Sequence, residues 1–221
     1  MLTDQMFHFL ADLKANNTKE WFAENKARYE ETVREPLRAF VRAFAPRLET
    51  ISPYFVASDK KAGGSLFRIH RDVRFSADKS PYKTNAGVQF RHENGKDAHT
   101  PGFYLHIDSQ ECFCAGGVWH PDADALRAVR ESIVDKPEEW KKVTRALGGF
   151  QLGGESLKKA PKGFDSSHPL IDDLKRKDHV VLRNLTREQV TSPGFLDFYT
   201  DHCQRMAPHL KFVAEALDQP F

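Results

Sequence analysis

Between Leu66 and Asp108 three separate runs alternate apolar with polar residues, and no other pattern restricts the fold of this chain as tightly. Successive side chains of a strand point to opposite faces. In LFRIHRDVRF, Phe67, Ile69, Val73 and Phe75 fall on one side, and Arg68, His70, Asp72 and Arg74 on the other. Ala86, Val88 and Phe90 alternate with Gly87, Gln89 and Arg91, and Phe103, Leu105 and Ile107 alternate with Tyr104, His106 and Asp108. These runs predict half-buried strands pairing antiparallel, with Leu66–Phe75 at the centre and an Asn94-Gly95 turn before the third run. Once aligned, Arg68, Arg74, Gln89, Tyr104, His106 and Asp108 would share the polar face. Arg71 has the parity of the apolar residues, so it is expected to be buried. A buried guanidinium left unpaired costs several kcal/mol or more, which makes Arg71, Asp72 and Asp78 the candidate structural ion pair.

Charge is concentrated in the same place. From Leu66 to Lys83 there are five cations (Arg68, Arg71, Arg74, Lys79, Lys83) against Asp72 and Asp78, in a chain whose whole formal charge is +2. Arginine suits phosphate and carboxylate through its planar fork of donors. Arg68, Arg74, Lys79 and Tyr82 are therefore the candidate anion-binding residues. Arg130 is added because Gly116-Gly117 precedes a helix start at Pro121-Asp122, whose free amides attract anions. The expected function is a basic pocket for an anionic, phosphorylated small molecule or nucleotide. Two alternatives differ in class: a nucleic-acid-binding module, with the patch continuing as a stripe onto Lys158, Lys159 and Lys162, and a structural or protein-interaction domain whose arginines are framework. Nucleophile-elbow, Walker and dinucleotide motifs are absent from the sequence, so no catalytic residue is assigned. No cofactor is expected. His70, Asp72, His106 and Asp108 resemble an imidazole and carboxylate set for iron or manganese, but neighbouring arginines would repel a cation. Cys112 and Cys114 lack the companions that structural zinc requires, so all three cysteines are expected to be reduced and metal-free.

The segment RIHRDVRFSADKSPYK resembles the hallmark of an uncharacterised family, mainly bacterial with some fungal members, of the form RxxRDxRF followed by DK and a Tyr. Arg68, Arg71, Asp72, Arg74, Phe75, Asp78, Lys79 and Tyr82 match that motif position by position. The resemblance extends along nearly the whole chain. It implies where a site lies and implies no activity.

Helical spacing frames these strands. Met6, Phe7, Leu10 and Leu13 predict a helix over residues 3–14, and Asn17 with Glu20 a capping box opening a second. The period continues to about Thr50, interrupted by Pro36. Tyr54–Ala57 predicts a short strand and Gly63-Gly64 a flexible entry to the central strand. Downstream, Cys112–Trp119 and Val180–Leu185 predict strands, and residues 122–133, 137–147 and 168–177 helices. Gly148–Gly163 predicts a surface loop. Phe195, Phe198, Tyr199, Met206, Leu210, Val213 and Leu217 predict a long C-terminal helix kinked at Pro208. The fold class is α+β: an antiparallel sheet packed by long N- and C-terminal helices. One domain over residues 1–221 is expected. The 33 Lys and Arg nearly balance 31 Asp and Glu, which excludes a global nucleic-acid signature. The N-terminal stretch carries Asp4 and Asp12 and resembles neither a signal peptide nor a span. With an odd cysteine count, that makes the cytoplasm the expected compartment and a membrane partner unexpected. Oligomeric state is not legible.

Overall fold

The computed structural model describes residues 2–95 and 99–221. Helix α1 (Asp4–Ala15) buries Met6, Phe7, Phe9, Leu10 and Leu13 along one stripe. The next helical stretch is broken at Asn25 and again just before Pro36: α2 (Lys19–Glu24), α3 (Lys26–Tyr29), a π-helical turn (Glu30–Arg34) and α4 (Glu35–Ile51) follow one another. Pro36 lacks an N–H and its ring crowds the carbonyl one turn back, so the helix widens just before it and restarts with Pro36 in the first turn of α4. The predicted capping box is corrected. Thr18 is the cap, its Oγ1 accepting from Trp21 N at 3.2 Å. Asn17 instead binds both backbone groups of Tyr82, donating to its carbonyl at 2.9 Å and accepting from its amide at 3.1 Å.

The sheet contains β1 (Asn85–Arg91), β2 (Gly102–Asp108), β3 (Cys112–Val118), β4 (Gln151–Leu152) and β5 (His179–Leu185), in the antiparallel order β1-β2-β3-β5-β4. The remaining helices are α5 (Ala123–Asp135), α6 (Pro137–Arg145), α7 (Ile171–Leu174), α8 (Arg187–Thr191) and α9 (Phe195–Ala216), which is continuous through Pro208. The fold is α+β, as the alternation and the flanking helical stripes predict. Register places Val88, Leu105 and Cys114 side by side, and likewise Phe90, Phe103 and Gly116. That apolar face packs on α1, α4 and α9. Phe44 of α4 lies 4.7 Å from Phe90 and 5.0 Å from Tyr199 of α9, tying two helices to β1. Gln89 is register partner to Tyr104 on the opposite face, with His106 and Asp108 on the same side.

The expected central strand does not form. The run from Leu66 to Phe75 lies beyond β1, at the sheet edge, where one isolated bridge, Leu66 with Val88, joins it to β1, and a second, His70 with Tyr82, joins it to the segment that leads into β1. Alternation survives as far as Val73: Ile69, Arg71 and Val73 are part-buried while Arg68, His70 and Asp72 are exposed. It then fails, because Phe75 is 95% exposed. The expected strand at Tyr54–Ala57 reduces to one bridge, Phe55 with His92. The predicted helix over 168–177 shrinks to α7, and the 148–163 loop contributes β4. Glu93 to Gly95 form a turn, Gly95 N donating to His92 O at 2.9 Å. The rest of that hairpin connection includes residues outside those described.

Candidate functional site

The residues that face the edge run from the helical side recur every fourth position: Lys26, Glu30, Arg34 and Arg38. That spacing stacks them on one face of the helix, one turn apart. Together with Phe22 and Tyr29 they form one wall of a cleft of about 230 Å³. The other wall is Lys60, Lys61 and the run from Leu66 to His70.

A tight loop presents the two lysines. Ser65 N donates to Ser58 O at 2.7 Å and Ser58 N to Ser65 Oγ at 3.0 Å, closing the chain on itself. A Cβ at Gly64 would come 2.2 Å from Lys60 O, so only glycine fits there. Gly64 is therefore required for loop closure, and Gly63, at φ 71°, takes the left-handed region that favours glycine. Asp59 pins this loop to α4. Its Oδ2 accepts from Arg42 Nη1 at 2.8 Å and from Arg38 Nη2 at 3.3 Å, while Arg38 Nε donates to its carbonyl at 3.0 Å. Glu35 completes the network by accepting from Arg42 and Arg38. Hydrogen bonds from Arg42 hold both carboxyls below their usual range.

Six cations line the cleft, and two of them are engaged. Arg34 Nη1 lies 2.8 Å from both carboxylate oxygens of Glu30, and Arg38 belongs to the Asp59 network. Among the described residues, the side chains of Lys26, Lys60, Lys61 and Arg68 make no hydrogen bond or ion pair. Beneath the cleft, Phe22 stacks on the buried ring of Tyr82 at 4.1 Å, and His70 lies 5.2 Å from that ring. Burial raises the Tyr29 hydroxyl to about 12, so it stays neutral as a donor. Past the cleft, Lys83 lies over the Phe67 ring at 5.2 Å. Burial and then Arg68 lower its pKa.

The model of a family described as a conserved hypothetical protein, DUF2461, matches residues 5–212, which contain both walls of the cleft. The chain belongs to the DUF2461 family. A comparison with the curated proteins found no match.

Within this DUF2461 chain the residues singled out from sequence fall in different places. Arg68 lines the cleft. Tyr82 lies beneath it as a packed ring. Arg74 and Lys79 lie on the turn beyond. Arg74 forms a fork with Asp72, Nε to Oδ1 at 2.9 Å and Nη2 to Oδ2 at 2.6 Å, and these bonds hold Asp72 at about 2. Lys79 Nζ donates to Val73 O at 2.9 Å. Arg71 pairs with Asp78, whose carboxyl is held low by the Ser80 hydroxyl and then by Arg71. Arg71 is half-buried rather than buried, its side chain 27% exposed, because its partner Asp78 lies on an exposed turn.

Arg130 is on α5, donating to Leu174 O at 2.7 Å and Arg176 O at 2.9 Å. Those carbonyls adjoin β5, whereas Arg68 adjoins β1. Strands spaced about 4.8 Å apart put these sites at opposite sides of the sheet. The same separation divides Lys158, Lys159 and Lys162 from Arg68, since Leu157 N donates to Lys175 O. His70, Asp72, His106 and Asp108 also diverge: His106 Nδ1 lies 3.1 Å from Tyr104 OH, and Asp108 accepts from Gln110 N at 2.9 Å. Among the described residues no three His, Cys, Asp or Glu are grouped to hold a metal. Cys112, Cys114 and Cys203 are buried free thiols. No helix among the described residues is long and apolar enough to cross a membrane.

Proposed function

We propose that the cleft binds an anionic small molecule carrying a phosphoryl group, a nucleotide included. The carrying observation is that four of its cations, Lys26, Lys60, Lys61 and Arg68, make no side-chain hydrogen bond or ion pair among the described residues, around a space of about 230 Å³. Like charges gathered in a concave site raise the local potential and the local concentration of an anion. Arg68 offers a fork of donors and the lysines offer point charges. Phe22, Phe67 and His70 supply ring surface for the less polar part of such a ligand. The half-buried Arg71, paired with Asp78, serves this reading as framework for the turn beyond the wall. Buried free thiols suit the reducing cytoplasm, where phosphorylated metabolites are plentiful.

Thermal unfolding with pyrophosphate, AMP and ATP tests the reading. A ligand at one hundred times its Kd stabilises the native state by about 2.7 kcal/mol, or about 5–10 °C in Tm for a chain of this size. Arg68→Ala and the Lys60→Ala, Lys61→Ala double variant are expected to lose most of that gain, and added salt to reduce it. No shift with any of the three ligands in the wild type would overturn the proposal.

A further inference from the structure

We propose that the phosphate site of this cleft also takes the backbone of a single-stranded nucleic acid, one of whose bases stacks on Phe75. This rests on the cleft being a phosphate site. Phe75 is 95% exposed, while the next large hydrophobic, Trp119, is 50% exposed. Burying a phenylalanine ring is favourable, and the turn forgoes it through construction, not slack. The Arg71–Asp78 pair closes the turn, Lys79 Nζ binds Val73 O at 2.9 Å, and Asp78 Oδ1 accepts from Ser80 N at 2.9 Å and Ser80 Oγ at 2.6 Å. The ring is thus held in water by a braced support.

Its surroundings are cationic. Arg74 Cζ lies 5.7 Å from the Phe75 ring centroid, and its partner Asp72 is exposed. An exposed pair of this kind contributes little, so the guanidinium can exchange its carboxylate for a phosphate. The chain passes directly from the cleft wall at Arg68 and His70 into this turn. Seven residues span at most about 25 Å, a distance that a strand of a few nucleotides covers. Proteins that hold single strands combine a positive groove for the backbone with aromatic platforms for the bases. A flat bilayer could meet Phe75 and Arg74, but it would not enter the cleft walled by Lys26 and Arg68.

Fluorescence anisotropy with labelled eight-nucleotide oligo-dT and oligo-U, run beside the pyrophosphate thermal shift and sedimentation with phosphatidylserine vesicles, separates the cases. Both oligonucleotides are expected to bind the wild type. Phe75→Ala should weaken binding about tenfold or more, since a stacked base is worth about 1–3 kcal/mol, and Phe75→Trp should restore it. Arg68→Ala should weaken it too, and pyrophosphate should still stabilise Phe75→Ala. Equal binding by wild type and Phe75→Ala would overturn the inference. Pyrophosphate stabilisation without oligonucleotide binding would overturn it and leave the cleft reading standing, and failure of both would remove both. Vesicle binding that depends on Phe75, without oligonucleotide binding, would replace the nucleic acid with a membrane surface.

Discussion

Arg71 shows how far one residue's chemistry can be read from its neighbours. Parity puts it inward, where the structure has it, and a carboxylate partner within reach was predictable because an inward guanidinium demands one. The partner is Asp78 and the site is half-exposed, so the interaction is of the surface kind. Arg71→Ala should lower Tm by no more than about 3 °C, read by thermal unfolding. A loss several times larger would mean that the turn's brace also supports the core. Gly117 predicts the opposite scale. It adopts φ 134°, and a Cβ there would come 2.0 Å from His179 O between paired strands. Gly117→Ala should therefore cost at least about 3 kcal/mol, from strain and the displaced strand together, measured by urea unfolding. In sequence this glycine reads, with Gly116, as the lead into an anion-attracting helix start, which does not disclose its close approach to a neighbouring strand. The missed cleft residues were more legible: Lys26, Glu30, Arg34 and Arg38 at fourfold spacing already define a charged helical stripe. Lys60 and Lys61 were not, since their placement depends on Asp59 meeting Arg38 and Arg42 from a distant helix.

Elements whose period reports burial were read correctly, and the one that mattered most to the site was not. Strand β2 and helices α1, α4 and α9 bury the stripe their spacing predicts, whereas β1 buries both faces, Gly87 and Gln89 included. Alternation, however, says which side a residue faces and not whether its backbone has a partner. Along Leu66–Phe75 the amides that find one are few: Phe67 N binds Gly87 O at 2.9 Å and Arg71 N binds Pro81 O at 2.9 Å. Lys83 N returns a bond to Ile69 O at 2.8 Å, and Asn17 takes both backbone groups of Tyr82, which point away from the run. Amide exchange should divide the run accordingly, with Phe67 and Arg71 protected and Arg68 and Asp72 exchanging fast. Uniform protection from Leu66 to Phe75 would restore the strand. In the sheet proper, Phe103 is fully buried between layers, and Phe103→Ala should cost about 3–5 kcal/mol. A denaturant midpoint shift with an unchanged slope would confirm a loss confined to packing.

At the scale of the whole molecule, a second apolar cluster of Val118, Val129, Ile133, Trp140, Leu174, Phe212 and Val213 sits beyond the main core. Two buried histidines adjoin it: His179 on β5 and His209 on α9 lie 5.9 Å and 5.6 Å from the Trp140 ring. Neither has a hydrogen-bond partner for its ring nitrogens among the described residues. Burial lowers both to about 3, with His209, Arg130 and Arg176 adding repulsion at His179, and Arg176 at His209. Unfolded histidine titrates near 6.5, so the unfolded chain takes up protons first as pH falls. The stability these neutral rings permit is complete above about 6.5 and is lost progressively from there toward 3. Together they should remove about 3 kcal/mol between pH 6.5 and 5. His209→Gln should roughly halve that slope in urea unfolding followed across pH, and an unchanged slope would count against it. The strand order carries a further consequence. An open sheet exposes two rows of unpaired backbone groups that can recruit other chains. Here the β1 row is met by irregular chain, bridged by Leu66 at Val88 and by Phe55 at His92 just past the strand, and the other row ends in the two-residue β4. The irregularity that defeats the strand prediction thus also denies a second molecule a straight edge on which to grow a fibril.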